Sequence, residues 1–476
     1  MFDMKRATLF LAAFLFASAA YTQKTSTVFF DLNYDTVESI APIHVESGRM
    51  MKLSDKPVSF PTREGYRFGG WYTEPSCKPG QEWLFGSNSS FFAPATDSMK
   101  VEKSMILYAK WVSPKHVRTI EDLDAIREDL YGWYVLENDI DISGIANWIP
   151  IGKYESNYEF ASGEWWTHAF KGFFDGQGHT IRGLRISELH TDKSGLFGAV
   201  ANGEITNLYM EDSHLVFSAP SPYVAPLAGI LKQDDKQVAA IRNCQVTGTL
   251  IKVTTTNDKS TFHSFTGLCG GAWGGNISRC KVSGKMILDI AGTGGGELYV
   301  GPFLGEAYND TENCTSDYDI DLRISETQTK DSFKAFVGGL QASATNVKEC
   351  MATGLIRVSG KAEEGCLYIG GLVGSERYGT VSNSTSRVKM SVINSPSAQV
   401  GGIVGEFNSN YGTIGAAFGI KTTKIVGCTY VGKPSFRNVP NYVFGEIAGA
   451  GEPETLTSPW GLSMNYKIEN CTYKKK

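Results

Sequence analysis

The nine cysteines are the most reactive side chains of this 476-residue chain, and their spacing limits what they can do. Zinc sites use short Cys-x-x-Cys pairs or cysteines close to histidine. No such pair occurs, and His44, His116, His168, His179, His190, His214 and His263 do not cluster with cysteine. Neither a metal nor any other cofactor is expected. Instead, Cys244, Cys280, Cys314 and Cys350 are separated by 36, 34 and 36 residues, and Ser384 follows after another 34. Cysteines sharing one frame, each with alternating apolar neighbours, act as small buried hydrophobes. Free thiols stacked in a ladder are expected rather than a disulfide framework.

The carboxylates give no catalytic assignment. Asp317, Asp319 and Asp321 alternate in parity opposite to Cys314, Ile320 and Leu322. Alternate strand residues lie about 6.6 Å apart, too far for one hard cation without loop ligands. A solvated outer face is expected there, and also at Asp139 and Asp141. His179 reads as a turn or packing residue. Neither a His-Glu-x-x-His string nor a Gly-x-Ser-x-Gly elbow occurs. A β-helix lyase would need acidic and basic groups concentrated on one outer face, and no such concentration is visible. The best contact candidate is the stretch from Trp148 to Trp166, with Tyr154, Tyr158, Phe160, Trp165 and Trp166 beside Lys153 and Glu164. Aromatics in a long interruption of a regular array suit stacking on sugars or anchoring a protein. The competing reading is that they shield the end of the first coil. Trp148, Tyr154, Tyr158, Trp165 and Trp166 are the candidate binding residues.

The elements that would carry these groups follow from the repeat frame. Around each slot stand Ile205-Thr206-Asn207-Leu208, Ile241-Arg242-Asn243-Cys244, Ile277-Ser278-Arg279-Cys280, Glu312-Asn313-Cys314, Val347-Lys348-Glu349-Cys350, Val381-Ser382-Asn383-Ser384, Ile425-Val426-Gly427-Cys428 and Ile468-Glu469-Asn470-Cys471. After the slot the period is two, as in Cys280, Val282, Gly284, Met286, Leu288 and Ile290, which predicts strands with these residues facing inward. Glycine motifs lie between the slots, among them Gly195-Leu196-Phe197-Gly198, Gly370-Gly371-Leu372-Val373-Gly374 and Gly401-Gly402-Ile403-Val404-Gly405. A phosphate loop needs a helix after it, and these motifs lead into strands, so they read as coil corners. Units of about 31–44 residues that cannot bury their inward faces alone must stack, which predicts a parallel β-solenoid. A first coil needs a cap. Thr119 followed by Glu121 and Asp122, with Ile120, Leu123, Ile126 and Leu130 on one face, predicts a cap helix.

Composition agrees. Glycine numbers 52 of 476 residues, above the average of about 7%, while aromatics reach 12% and hydrophobics 42%, so the chain folds despite its glycine. A net charge of −5 argues against nucleic-acid or polybasic membrane binding. Residues 1–20 have the order of a secretory signal: Lys5 and Arg6, an apolar run from Ala7 to Phe16, then Ala17-Ser18-Ala19-Ala20. Export is expected, with no transmembrane segment in the processed chain, because no later apolar run reaches about 18 residues.

Two resemblances add to this reading. Residues 24–112 contain Phe30-Asp31, Pro61-Thr62-Arg63-Glu64-Gly65-Tyr66-Arg67-Phe68-Gly69-Gly70-Trp71-Tyr72 and Leu107-Tyr108-Ala109-Lys110-Trp111. This segment resembles a Listeria-Bacteroides repeat of the internalin B type, with Asn33-Tyr34-Asp35 in place of the usual Asn-Gly-Gly turn. The resemblance implies a β-grasp-like extracellular module with no catalytic role, and Trp71 and Trp111 read as core of this small domain. Residues 113–130 read as linker and cap helix. The repeats of 131–476 resemble the GLUG repeats of bacterial surface proteins and of IgA-protease-type chains, which implies a right-handed parallel β-helix. The whole chain therefore reads as all-β. Its expected function is that of a secreted or surface-associated, adhesin-like, non-enzymatic protein presenting loops to a host or microbial glycan or protein. The alternative is a β-helix enzyme acting on polysaccharide, a lyase or glycosidase.

Overall fold

The computed structural model describes residues 25–51, 55, 57, 61–78, 80–83, 100–155, 166–218, 223–233, 239–257, 262–292, 296–327, 333–360, 367–407, 422–450, 456–457 and 463–475. The signal-like segment, Tyr158, Trp165 and Cys366 lie outside the described residues. The chain divides into two compact units, Met1–Ser113 and Pro114–Lys476.

The first unit is one five-stranded sheet in the order Ile40–Glu46, Thr25–Asp31, Met105–Val112, Arg67–Tyr72, Glu82–Trp83. Its two middle strands, Thr25–Asp31 and Met105–Val112, run parallel, and the other pairs are antiparallel. This mixed order around a central parallel pair is the β-grasp-like arrangement. Val28, Phe30, Leu107 and Ala109 alternate inward and bury against Trp71 and Trp83. Trp71 meets Phe30 edge-on at 4.8 Å, and the Trp111 indole donates to the Leu32 carbonyl at 2.6 Å. Both tryptophans therefore do packing work.

The second unit is a parallel β-helix. Each coil passes from a strand of a third sheet through a glycine corner to a strand of the first sheet. It then turns an asparagine–cysteine corner to a strand of the second sheet. Gly296–Gly301, Leu304–Glu312 and Thr315–Thr327 make one such coil. Neighbouring coils pair in register, so Ile205, Ile241, Ile277, Thr311, Val347, Val381, Ile425 and Ile468 form one continuous ladder.

The corner chemistry explains the repeat. The residue before each slot takes the left-handed conformation: φ is 53° at Asn207, 54° at Asn243, 53° at Arg279, 55° at Asn313, 55° at Glu349, 49° at Asn383, 63° at Gly427 and 55° at Asn470. Asparagine and glycine tolerate this region best, and Asn243 Nδ2 also donates to Asn207 Oδ1 of the preceding coil at 2.8 Å. The chain then drops the next side chain inward, where it serves as both donor and acceptor. Cys244 Sγ donates to the Arg242 carbonyl at 3.3 Å, and Cys280, Cys314 and Cys350 repeat that contact two residues back. The slot sulfur also accepts from the previous coil: Cys244 N–H donates to Cys280 Sγ at 3.5 Å and Cys314 N–H to Cys350 Sγ at 3.4 Å. Ser384 does the same, donating to the Ser382 carbonyl and accepting from Cys350 N–H at 3.0 Å. A thiol or hydroxyl fits because the corner supplies one buried carbonyl and one buried amide. All eight described cysteines are free, and burial pushes the Cys269 thiol up to about 12.

At the other corner, a Cβ on Gly338, Gly370, Gly401 or Gly445 would run into the carbonyl three residues later, so the glycines there are steric punctuation. Thr119 closes a capping box with Asp122 in both directions, at 3.1 and 3.0 Å. The helix itself is shorter than its apolar pattern suggests. It spans Ile120–Asp124 and tightens into a 3₁₀ turn over Ala125–Glu128, because only Leu123 and Ile126 of this stretch are buried. The strand Pro114–Val117 pairs with Trp133–Leu136, so part of the segment read as a linker already belongs to the solenoid. Asp317 and Asp319 are exposed and Asp321 half-buried. Asp317 accepts from Thr353 at 2.8 Å and Asp321 pairs with Arg357 at 3.3 Å, each on the next coil.

Arg279 and Glu349 are the two corner residues without asparagine's local tolerance of the left-handed region. Arg279→Asn and Glu349→Asn should each stabilise the chain by about 1 kcal/mol in denaturant titration; no gain at either site would contradict the corner account. Thiol titration without reductant should find Cys244, Cys280, Cys314 and Cys350 unreactive in the native chain and reactive in denaturant, whereas disulfides among them would overturn the ladder.

Candidate functional site

Along the third sheet, one parity points into the core: Val224, Phe265, Val300, Val337, Ile369 and Val400. The opposite parity forms the ladder Lys193, Tyr223, Ser264, Tyr299, Phe336, Tyr368, Gln399 and Val443. These side chains leave the core, yet Lys193 through Tyr368 are buried. They lie in a re-entrant corner, folded onto the outward face of the first sheet. The Tyr223 ring covers Gly271, whose added Cβ would approach it to 2.8 Å, and Tyr299, Phe336 and Tyr368 stack at 5.3 and 5.4 Å with Ala342 beneath.

The first sheet brings polar residues to this corner. The carboxylate of Glu306, 9% exposed, accepts from the Tyr223 hydroxyl and, at 3.4 Å, from the Trp273 indole. Its other oxygen pairs with Arg377 at 3.5 Å. Arg377 is buried, donates to the Tyr299 hydroxyl at 2.9 Å, and lies 4.3 Å over the Tyr308 ring. Tyr299 in turn donates to Glu297. Lys193 pairs with Asp192 at 3.0 Å and sits 3.9 Å over the Tyr223 ring, and Lys232 sits 4.9 Å over Trp166. An acidic and basic concentration therefore does exist, contrary to the expectation from sequence. Tyr223, Glu306 and Arg377 are 83 and 71 residues apart, and only coil stacking brings them together.

Burial sets the electrostatics. It pushes the Tyr223 and Tyr299 hydroxyls well above the usual phenol range, and it lowers Lys193 despite Asp192. The Glu306 carboxylate meets three donors, one of them cationic. Removing one partner of a buried ion pair costs about 3–5 kcal/mol, so Glu306 and Arg377 are committed to each other and suit positioning rather than proton transfer. Two further carboxyls lie along the same strands. Burial raises Glu406 to about 7, against the opposing effects of Lys334 and a Ser375 hydrogen bond at 3.1 Å. Glu376 stacks between Ala344 and Phe407 and is raised further by burial, with no partner for either oxygen among the described residues.

Beside the Glu306–Arg377 pair the first sheet bulges. The register slips between Trp273 and Asn276 on one strand pair and between Ala344 and Asn346 on another, and Gly274 and Gly275 take φ of 85° and 97°. Bulges re-aim side chains. Here they open a pocket of about 310 Å³ lined by Gln233, Asn276, Tyr308, Asn309, Asp310, Thr345 and Tyr378 together with the two glycines.

The residues singled out by sequence divide. Trp148 is 2% exposed within the core, its indole donating to the Leu196 carbonyl at 3.0 Å. Tyr154 and Trp166 come together at 4.8 Å and pack on Trp273 at 6.1 and 5.7 Å, which places them at the corner but buried. Tyr158 and Trp165 lie outside the described residues. Sequence reasoning missed Tyr223, Trp273, Glu306, Tyr308, Arg377 and Tyr378. One signal was present: Tyr299, Phe336 and Tyr368 each stand two residues before a corner glycine.

Residues 27–110 match the family model of the Listeria-Bacteroides repeat domain. Among solved structures, the chain is similar over 76% of its length to 84% of a "putative immunoglobulin A1 protease" from Bacteroides ovatus, with 14% sequence identity and a TM-score of 0.42. No curated protein matches it.

Because folding raises Glu406 and Glu376 above the ordinary carboxyl value, the native chain binds protons more tightly than the unfolded one, and stability falls as pH rises through about 7. The melting temperature should therefore drop between pH 5 and 8, and Glu406→Gln should flatten that drop. A slope unchanged in both Glu406→Gln and Glu376→Gln would contradict the assignment.

Proposed function

We propose that this chain is an exported, adhesin-like protein without enzymatic activity, secreted or held at the cell surface, whose solenoid presents a binding corner to a glycan or protein. The Listeria-Bacteroides repeat at 27–110, a module of bacterial surface proteins, supports an extracellular setting. So does the signal-like order of residues 1–20, and the GLUG-type reading of 131–476 belongs to the same proposal. No helix among the described residues is long and apolar enough to cross a membrane. The observation that carries the reading is the re-entrant corner. Its open pocket, walled by the half-buried Tyr308 and Tyr378, is a feature of recognition surfaces, while its central carboxylate is tied up by a tyrosine, a tryptophan and an arginine.

The second reading, a polysaccharide-acting enzyme, draws on the same cluster of Glu306, Arg377, Lys193 and Lys232. It is disfavoured because these groups are engaged with neighbouring side chains instead of being poised over open space. The chain without residues 1–20, screened against host glycans, matrix proteins and acidic polysaccharides, should bind at least one of them and cleave none; release of shortened products would favour the enzyme.

A further inference from the structure

We infer that the pocket in the bulged first sheet is a subsite for one neutral sugar ring of a glycan; this rests on the binding role proposed above. Its volume of about 310 Å³ lies at the small end of ligand pockets, about 300–1,000 Å³. Tyr308 and Tyr378, both half-buried, stand on its wall with ring centroids 6.4 Å apart and planes at 38°. Arg377 behind Tyr308 fixes that ring from one side. Two aromatic walls at an angle suit the C–H faces of a pyranose.

The polar lining selects for hydroxyls. Gln233 and Asn276 bring two side-chain amides to the lining, and each amide can donate to one hydroxyl and accept from another. Asp310 adds a carboxylate that already accepts from Asn346 at 2.8 Å. The nearest buried cation, Arg377, is committed to Glu306 and Tyr299. Asp310 is the one charged group among the described lining residues, which suits a neutral sugar and disfavours a uronic acid, a sulfated sugar or a phosphate. Gly274 and Gly275 are held to glycine by their positive φ, and a Cβ at Gly275 would also come within 2.9 Å of the core residue Leu231.

The test uses the full chain without residues 1–20 on two oligosaccharide arrays, one neutral and one carrying uronic acids, followed by titration of the best ligand. Binding to neutral members is expected, with at least tenfold weaker affinity in Tyr378→Ala and in Gln233→Ala. Gln233 is exposed, so its truncation spares the core and still reports if Tyr378→Ala misfolds. Neutral-glycan binding that both variants retain would overturn the subsite and leave the binding role standing. Binding confined to uronic acids, or to a protein partner alone, would overturn the neutral-sugar assignment. Failure to bind anything in the wider screen would remove the reading on which it rests.

Discussion

The structure of the second unit depends on one constraint: each coil has a polar backbone edge and an apolar inner face that only the next coil can satisfy, and the two must meet in register. The asparagine–cysteine corner enforces that register. A left-handed residue turns the chain, and the following thiol or hydroxyl joins its own corner carbonyl to the amide of the preceding coil. A slip of one residue would send every inward side chain outward. The slot therefore accepts cysteine or serine readily, while the residue before it is usually asparagine.

That register has a consequence on the outside. With inward parity fixed, the alternate residues of the third sheet must leave the core, and the glycine corner folds them back onto the first sheet. Tyr223, Tyr299, Phe336 and Tyr368 are in this sense a second, smaller core on the outer side of the wall. Polar groups caught there cannot stay unpaired, hence the linked set of Tyr223, Glu306, Arg377, Tyr299 and Glu297. The pocket lies where bulges interrupt this packing, walled by Tyr308 and Tyr378.

Legibility in the sequence followed the range of the interaction. The slot of Cys244, Cys280, Cys314 and Cys350, the corner glycines and the Thr119 cap were readable because spacing or a single turn determines them. The outward face of Asp317, Asp319 and Asp321 followed from parity alone. The Glu306 cluster was not readable, since it depends on the angle at which two sheets meet and on side chains from coils 71 and 83 residues apart. Trp148 shows the opposite error: an aromatic residue in a long interruption looked like a contact, but its environment is the core. Residues 113–130 misled for a similar reason, because a four-residue strand at Pro114–Val117 is too short to show a period.

The central claim is that the bulged outer corner of the solenoid is where this protein meets its ligand. Hydrogen–deuterium exchange with and without a saturating neutral oligosaccharide tests it most directly, because the corner's strands are separated in sequence and report independently. The account predicts slower exchange at residues 273–276, 308–310 and 345–346 together with 377–379, and little change in 27–110. Protection confined to 27–110, or to solenoid strands away from these four segments, would contradict it.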